Sequence, residues 1–162
     1  MAAPKAILGI SPGTRTMGLA VIRNGELIEW QVKTFKGTWS KDKLKHILGA
    51  IRKICDYFDV NAITLKKVDP IRSSAQLELL TDHLTAWTKK NTMRVATYSI
   101  HDLNAYTGRK QRNLHHAISE HVLEIYPALR QEYMKERNNE CEYYSKMFEA
   151  VLCAHITHKK TQ

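Results

Sequence analysis

Ile7-Leu8-Gly9-Ile10-Ser11-Pro12-Gly13-Thr14-Arg15-Thr16-Met17-Gly18-Leu19-Ala20-Val21-Ile22 reads as a strand, a tight Pro-Gly turn and a second strand. Residues 6–10 form a near-continuous apolar run, the pattern of a strand buried on both faces. Ser11-Pro12-Gly13 interrupts it, and residues 17–23 resume the apolar character. Asn24-Gly25 follows, a pair that favours a two-residue hairpin because both residues tolerate positive φ. Residues 26–35 then alternate, with Ile28, Trp30 and Val32 against Leu27, Glu29, Gln31 and Lys33. That period of two predicts a third strand with one apolar face. The chain therefore opens as a three-stranded antiparallel meander.

Beyond the meander the period changes. Ser40 precedes charged residues and is placed to cap a helix, along which Leu44, Ile47, Leu48, Ile51, Ile54 and Cys55 recur at helical spacing as far as Phe58. Residues 61–65 are short and β-branched, a fourth strand. Ser73 is expected to cap a helix carrying Leu77, Leu80, Leu84 and Trp87, and residues 93–98 give a fifth strand. Helices are expected over about 101–106, 109–125, 127–136 and 142–158, with Pro127 in the first turn of its helix. The order predicts a single α/β domain over residues 1–162, with a five-stranded mixed sheet flanked by helices.

The chain has 162 residues, and an apolar share of 43% is enough for a packed core. No apolar run is long enough to span a bilayer, and no secretory signal is expected before the first strand. Cys55, Cys141 and Cys153 lack metal-ligand spacing and read as buried thiols of a reducing compartment. The eight histidines are scattered, none in a strong ligand pattern. Lys and Arg number 25 against 16 Asp and Glu, a net charge of +9 that favours partners carrying phosphate.

The opening hairpin, together with this element order, resembles the RuvC-type Holliday junction resolvases of the ribonuclease H-like superfamily. The resemblance implies a ribonuclease H-like fold and a site where four carboxylates at one end of the sheet hold two Mg²⁺ ions. In this chain the position of the first acid is Ser11, and that of the second is Lys66. Aligned on Leu152 and Cys153, the last two fall on Tyr143 and Lys146. Mg²⁺ needs oxygen ligands, mostly carboxylates, so no catalytic residue, metal site or cofactor is expected. Glu142 and Glu149 flank Lys146 at i−4 and i+3, and Asp69 lies three residues past Lys66; they are expected to be solvated surface charges. Lys66 and Lys146 either turn into the emptied centre, where they can hold a phosphate, or part toward solvent.

Thr107-Gly108-Arg109-Lys110-Gln111-Arg112 places three cations at an expected helix start, an arrangement suited to phosphate contact. With Arg15, Lys66, Lys67, Arg72 and Lys146, the residues Arg109, Lys110 and Arg112 make up the expected nucleic-acid surface. The resemblance also implies an aromatic wedge in the loop after the fourth strand, where this chain has Asp69-Pro70-Ile71. It implies a nucleic-acid-binding, catalytically inactive homologue of the crossover junction endonucleases. DNA, including branched DNA, is the expected partner and a homodimer the expected assembly. The expected location is cytoplasmic or nucleoid-associated, with no membrane. Two alternatives stay open: an active Mg²⁺-dependent endonuclease with displaced acids, and a protein-interaction scaffold. Gly9-Ile10 with Gly13-Thr14 also resembles the phosphate loop of sugar kinases and actin, but those folds need two such domains and roughly twice this length.

Overall fold

In the computed structural model, residues 5–110, 112–139 and 142–161 are described; Cys141 lies outside them. Strands β1 (Ala6–Ser11), β2 (Thr16–Arg23) and β3 (Glu26–Thr34) form the antiparallel meander. β4 (Ala62–Lys66) and β5 (Arg94–Tyr98) add in parallel on the other side of β1, so the sheet runs β3-β2-β1-β4-β5. The helices are α1 (Lys41–Phe58), α2 (Ala75–Lys90), α3 (Ile100–Thr107), α4 (Leu114–Ile125), α5 (Arg130–Asn139) and α6 (Ser145–Lys160). This is the expected ribonuclease H-like α/β arrangement.

The period of two sorts each strand between the sheet's faces. Leu8, Ile10, Met17, Leu19, Val21, Ile63 and Leu65 meet Leu44, Ile47 and Ile51 of α1 and Leu80 and Leu84 of α2 in one core. Ala20 meets α4 and the apolar stripe of α6 in a second core on the opposite face. The glycines of the opening hairpin let α6 lie flat on that face. A Cβ at Gly9 would run into the carbonyl oxygen of Ala150, and one at Gly18 into the backbone of Lys146. The strand register therefore dictates where the first turns of α6 sit.

Several boundaries differ from expectation. β3 does not keep one apolar face, because a bulge opposite Val21 and Ile22 shifts its register. Ile28 joins the α1 core while Leu27, Trp30 and Val32 pack on the α6 side. The α2 cap is Ser74, which accepts from Leu77 N at 3.1 Å; Ser73 instead donates to Glu78 at 3.2 Å. α4 begins at Leu114 and not at Arg109. Gly108 closes α3 in the left-handed region (φ 66°), and Asn113 caps α4 by accepting from His115 N and His116 N. Pro127 starts a short 3₁₀ turn that leads into α5. Among the described residues, no helix is long and apolar enough to cross a membrane.

Candidate nucleic-acid interface

β1 and β4 are parallel neighbours, so their C-terminal ends emerge side by side. Ser11 ends β1 and Lys66 ends β4, both on the face that carries α6. A cleft of about 270 Å³ opens there, lined by Ser11, Lys66, Lys67, Arg72, Lys146 and Glu149 among others. Ligand sites in sheets with parallel strands form outside such strand ends, where neighbouring connections diverge.

The floor comes from α6. Lys146 and Glu149 stand three residues apart and so share a helix face. Glu149 is only 1% exposed, which corrects its expected place among solvated surface charges. Its carboxylate forms an ion pair with Lys66, and its other oxygen lies 4.0 Å from His115 Nδ1. That nitrogen is buried without a hydrogen-bond partner. Lys146 Nζ donates to the carbonyl of Thr16 at 3.0 Å. It rests over Gly13, where a Cβ would collide with it. Burial is the main influence on Lys146 and lowers its pKa; Glu149 opposes the shift and the Lys66 ammonium adds to it. The two lysines thus neither part toward solvent nor point jointly at an empty centre. One is matched by a carboxylate and the other is held against the hairpin.

Tyr143 does not belong to this constellation. It is 44% exposed and packs edge-on against Tyr144. The pair spaced i, i+3 that faces the cleft is Lys146 and Glu149, one helical step beyond the pair expected from the sequence. Among the described side chains, Glu149 is therefore the one carboxylate at the floor, with Asp69 at the mouth. Its signal was available, since Glu149 sits between Phe148 and Ala150 on a stretch too apolar for a surface charge. The side chain of Glu142 lies outside the described residues.

Lys67, Asp69 and Arg72 form the exposed mouth of the cleft. Asp69 accepts from Ile71 N at 3.0 Å and caps a 3₁₀ turn over Pro70–Arg72, leaving Ile71 91% exposed at its tip. The segment 109–112 behaves differently from expectation. Arg109 turns onto α4 and pairs with Glu120 at 3.5 Å and with Glu124. Its guanidinium is committed to carboxylates and offers no free charge at a helix start. Lys110, Arg112 and Arg15 are exposed but do not line the cleft.

No family model matches the chain, and no curated protein sequence matches it. Solved structures do. Thermus thermophilus RuvC is 15% identical, with 96% of this chain and 95% of that one covered at a TM-score of 0.69. T. thermophilus RuvC in complex with a Holliday junction substrate is 14% identical, with 97% of each chain covered at 0.67. The fowlpox virus Holliday junction resolvase is 12% identical, with 96% of this chain and 99% of that one covered at 0.62. Likeness over nearly the whole length at such low identity is likeness of fold: the chain has the ribonuclease H-like fold of the RuvC-type Holliday junction resolvases.

Proposed function

We propose that this chain binds DNA, branched DNA in particular, along the cleft at the ends of β1 and β4, and does not cut it by the two-metal route. One observation carries the reading: among the described residues the floor presents Ser11, Lys66 and Lys146 together with one carboxylate, Glu149, and that carboxylate is ion-paired to Lys66. Two Mg²⁺ ions about 3.5–4 Å apart need a dense set of oxygen ligands. A serine hydroxyl, one neutralised glutamate and a second ammonium do not suit them. Asp69 stands at the exposed mouth of the cleft, where one of its oxygens caps Ile71 N. The same cations suit a phosphodiester backbone, with Lys67 and Arg72 at the mouth where a duplex arm would pass.

The resolvases of this fold give the ligand class, since one of them is described with a Holliday junction substrate. The test is a mobility-shift titration of a four-way junction and a matching linear duplex at several salt concentrations, with Mg²⁺ or Mn²⁺ nicking of the junction measured in parallel. Junction binding with a steep salt slope and no nicking is expected. Metal-dependent nicking lost in Glu149→Gln would replace this reading with that of an active endonuclease.

A further inference from the structure

We propose that Lys146 is an amine nucleophile: it forms an imine with the ring-opened aldehyde of an abasic deoxyribose and breaks the DNA strand by β-elimination, without a metal. This rests on the reading that the cleft receives DNA. Lys146 and Lys66 line the same cleft, but only Lys66 is matched by Glu149. Lys146 is half-buried and gives one N–H to Thr16 O. Once it has given up a proton, an amine held this way keeps its lone pair for attack, and the bare Cα of Gly13 leaves it the room. Burial, opposed by Glu149, holds its pKa below the ordinary lysine value and so eases that proton loss. Desolvation and a neighbouring cation are the usual means of activating a lysine. An abasic nucleotide lacks its base, and about 270 Å³ is at the small end of ligand sites.

The chemistry closes with the groups present. The Lys146 amine adds to the C1′ aldehyde, and the carbinolamine takes a proton from solvent and loses water to give a protonated imine; the later hydrolysis returns that proton. The Glu149 carboxylate, on the same helix face, removes a C2′ proton. The freed electron pair expels the 3′ phosphate by breaking the C3′–O3′ bond. The proton taken up by Glu149 returns to solvent through the open mouth of the cleft. Water then hydrolyses the conjugated imine, which restores the amine and leaves an unsaturated aldehyde on the cut strand. The water lost on condensation is regained, and no oxidant or reductant is needed.

The test is borohydride trapping on a duplex with one abasic site, with scission measured separately in EDTA. The wild-type chain is expected to give a covalent adduct that peptide mapping places on Lys146. Lys146→Arg keeps a positive charge but cannot form an imine, so its adduct per bound duplex should fall to background. Glu149→Gln should still be trapped while scission slows by roughly 100-fold. Lys53→Ala, on exposed α1 across the sheet, should match the wild type. A wild-type adduct level in Lys146→Arg, or no adduct from a wild-type chain that binds the duplex, would overturn the proposal while leaving DNA binding intact. A chain that binds no DNA at all removes the underlying reading and this one with it.

Discussion

The two ends of α6 bury polar side chains in opposite ways. Toward its C-terminus the partners are neutral and matched. Thr157 shares a hydrogen bond with Thr64 at 2.7 Å, and Tyr126 OH meets His155 Nδ1 at 2.9 Å. Burial pushes the Tyr126 phenol up to about 12 and the His155 imidazole down to about 4, so both members of that pair stay uncharged at neutral pH. Toward its N-terminus the groups are charged and incompletely matched: Lys146 on a lone carbonyl, Glu149 on Lys66, and His115 with an idle nitrogen. Neutral, satisfied polar groups stabilise a buried face. Charges with unused bonding capacity in a cleft are retained at a cost, and such sites are where ligands act.

The largest effect should come from the seat that both ends share. Gly9→Ala and Gly18→Ala each drive a Cβ into the backbone of α6, with no flexible side chain to yield. Losses of about 3–5 kcal/mol, or failure to fold, are expected in urea unfolding. A tolerated alanine at Gly18 would mean that the N-terminal turn of α6 is not held by the hairpin.

Removing one polar partner at each end then separates the two kinds of burial. Glu149→Leu leaves Lys66 facing an apolar side chain, and a loss of about 3 kcal/mol is expected. Thr157→Val leaves the Thr64 hydroxyl short of its partner, at a cost of about 1 kcal/mol. Adding Lys66→Met to Glu149→Leu should recover most of the larger loss, because a matched apolar pair of similar volume replaces the ion pair. Equal costs at both ends in urea titrations would erase the distinction.

The same contrast separates what the sequence could reveal from what it could not. The hairpin was legible because Asn24-Gly25 and the apolar run of β1 are local signals, and the three-stranded meander followed from it; the mixed five-stranded sheet came from the element order and the family resemblance. Ser11, Lys66 and Lys146 were singled out through the family resemblance, and the parallel ends of β1 and β4 beside the start of α6 bring them to one cleft. The last two acid positions were placed one turn early, at Tyr143 and Lys146, and the buried Glu149 was read as a solvated charge. The ungapped match to Leu152 and Cys153 marks a helix face only to within a turn, and Tyr143 lies before α6 in a 3₁₀ turn. Arg109 was misread because its partners, Glu120 and Glu124, lie on a helix that starts five residues later than its charge pattern suggested. Long-range ion pairs leave no periodic trace in a sequence.

The C-terminal end carries the pH signature. Burial first, with Lys159, His121 and His158 adding, lowers His155 from 6.5 to about 4. In the folded chain it is neutral at pH values where the unfolded chain binds a proton. Stability should therefore be complete above about pH 6.5 and fall as pH drops toward 4, by roughly 2 kcal/mol once solvent screening is allowed for. His155→Gln should flatten that part of a stability–pH profile. If Glu149→Gln flattened it as much, the acid response would belong to the N-terminal end instead.

The smallest effect tests whether the cleft, and not the basic surface at large, meets DNA. Arg72 is exposed at the mouth with no carboxylate partner among the described residues, so it is free to release a counterion on binding a phosphate. Arg72→Ala should weaken junction binding by about 1 kcal/mol and lower the slope of log K against log salt by about 1. Arg109→Ala removes the same formal charge, but that charge already serves Glu120 and Glu124. Its loss should leave the slope unchanged and affinity within about twofold. Equal slopes for the two variants would mean that the chain binds through its diffuse charge of +9, and the cleft would lose its claim as the place where DNA is held.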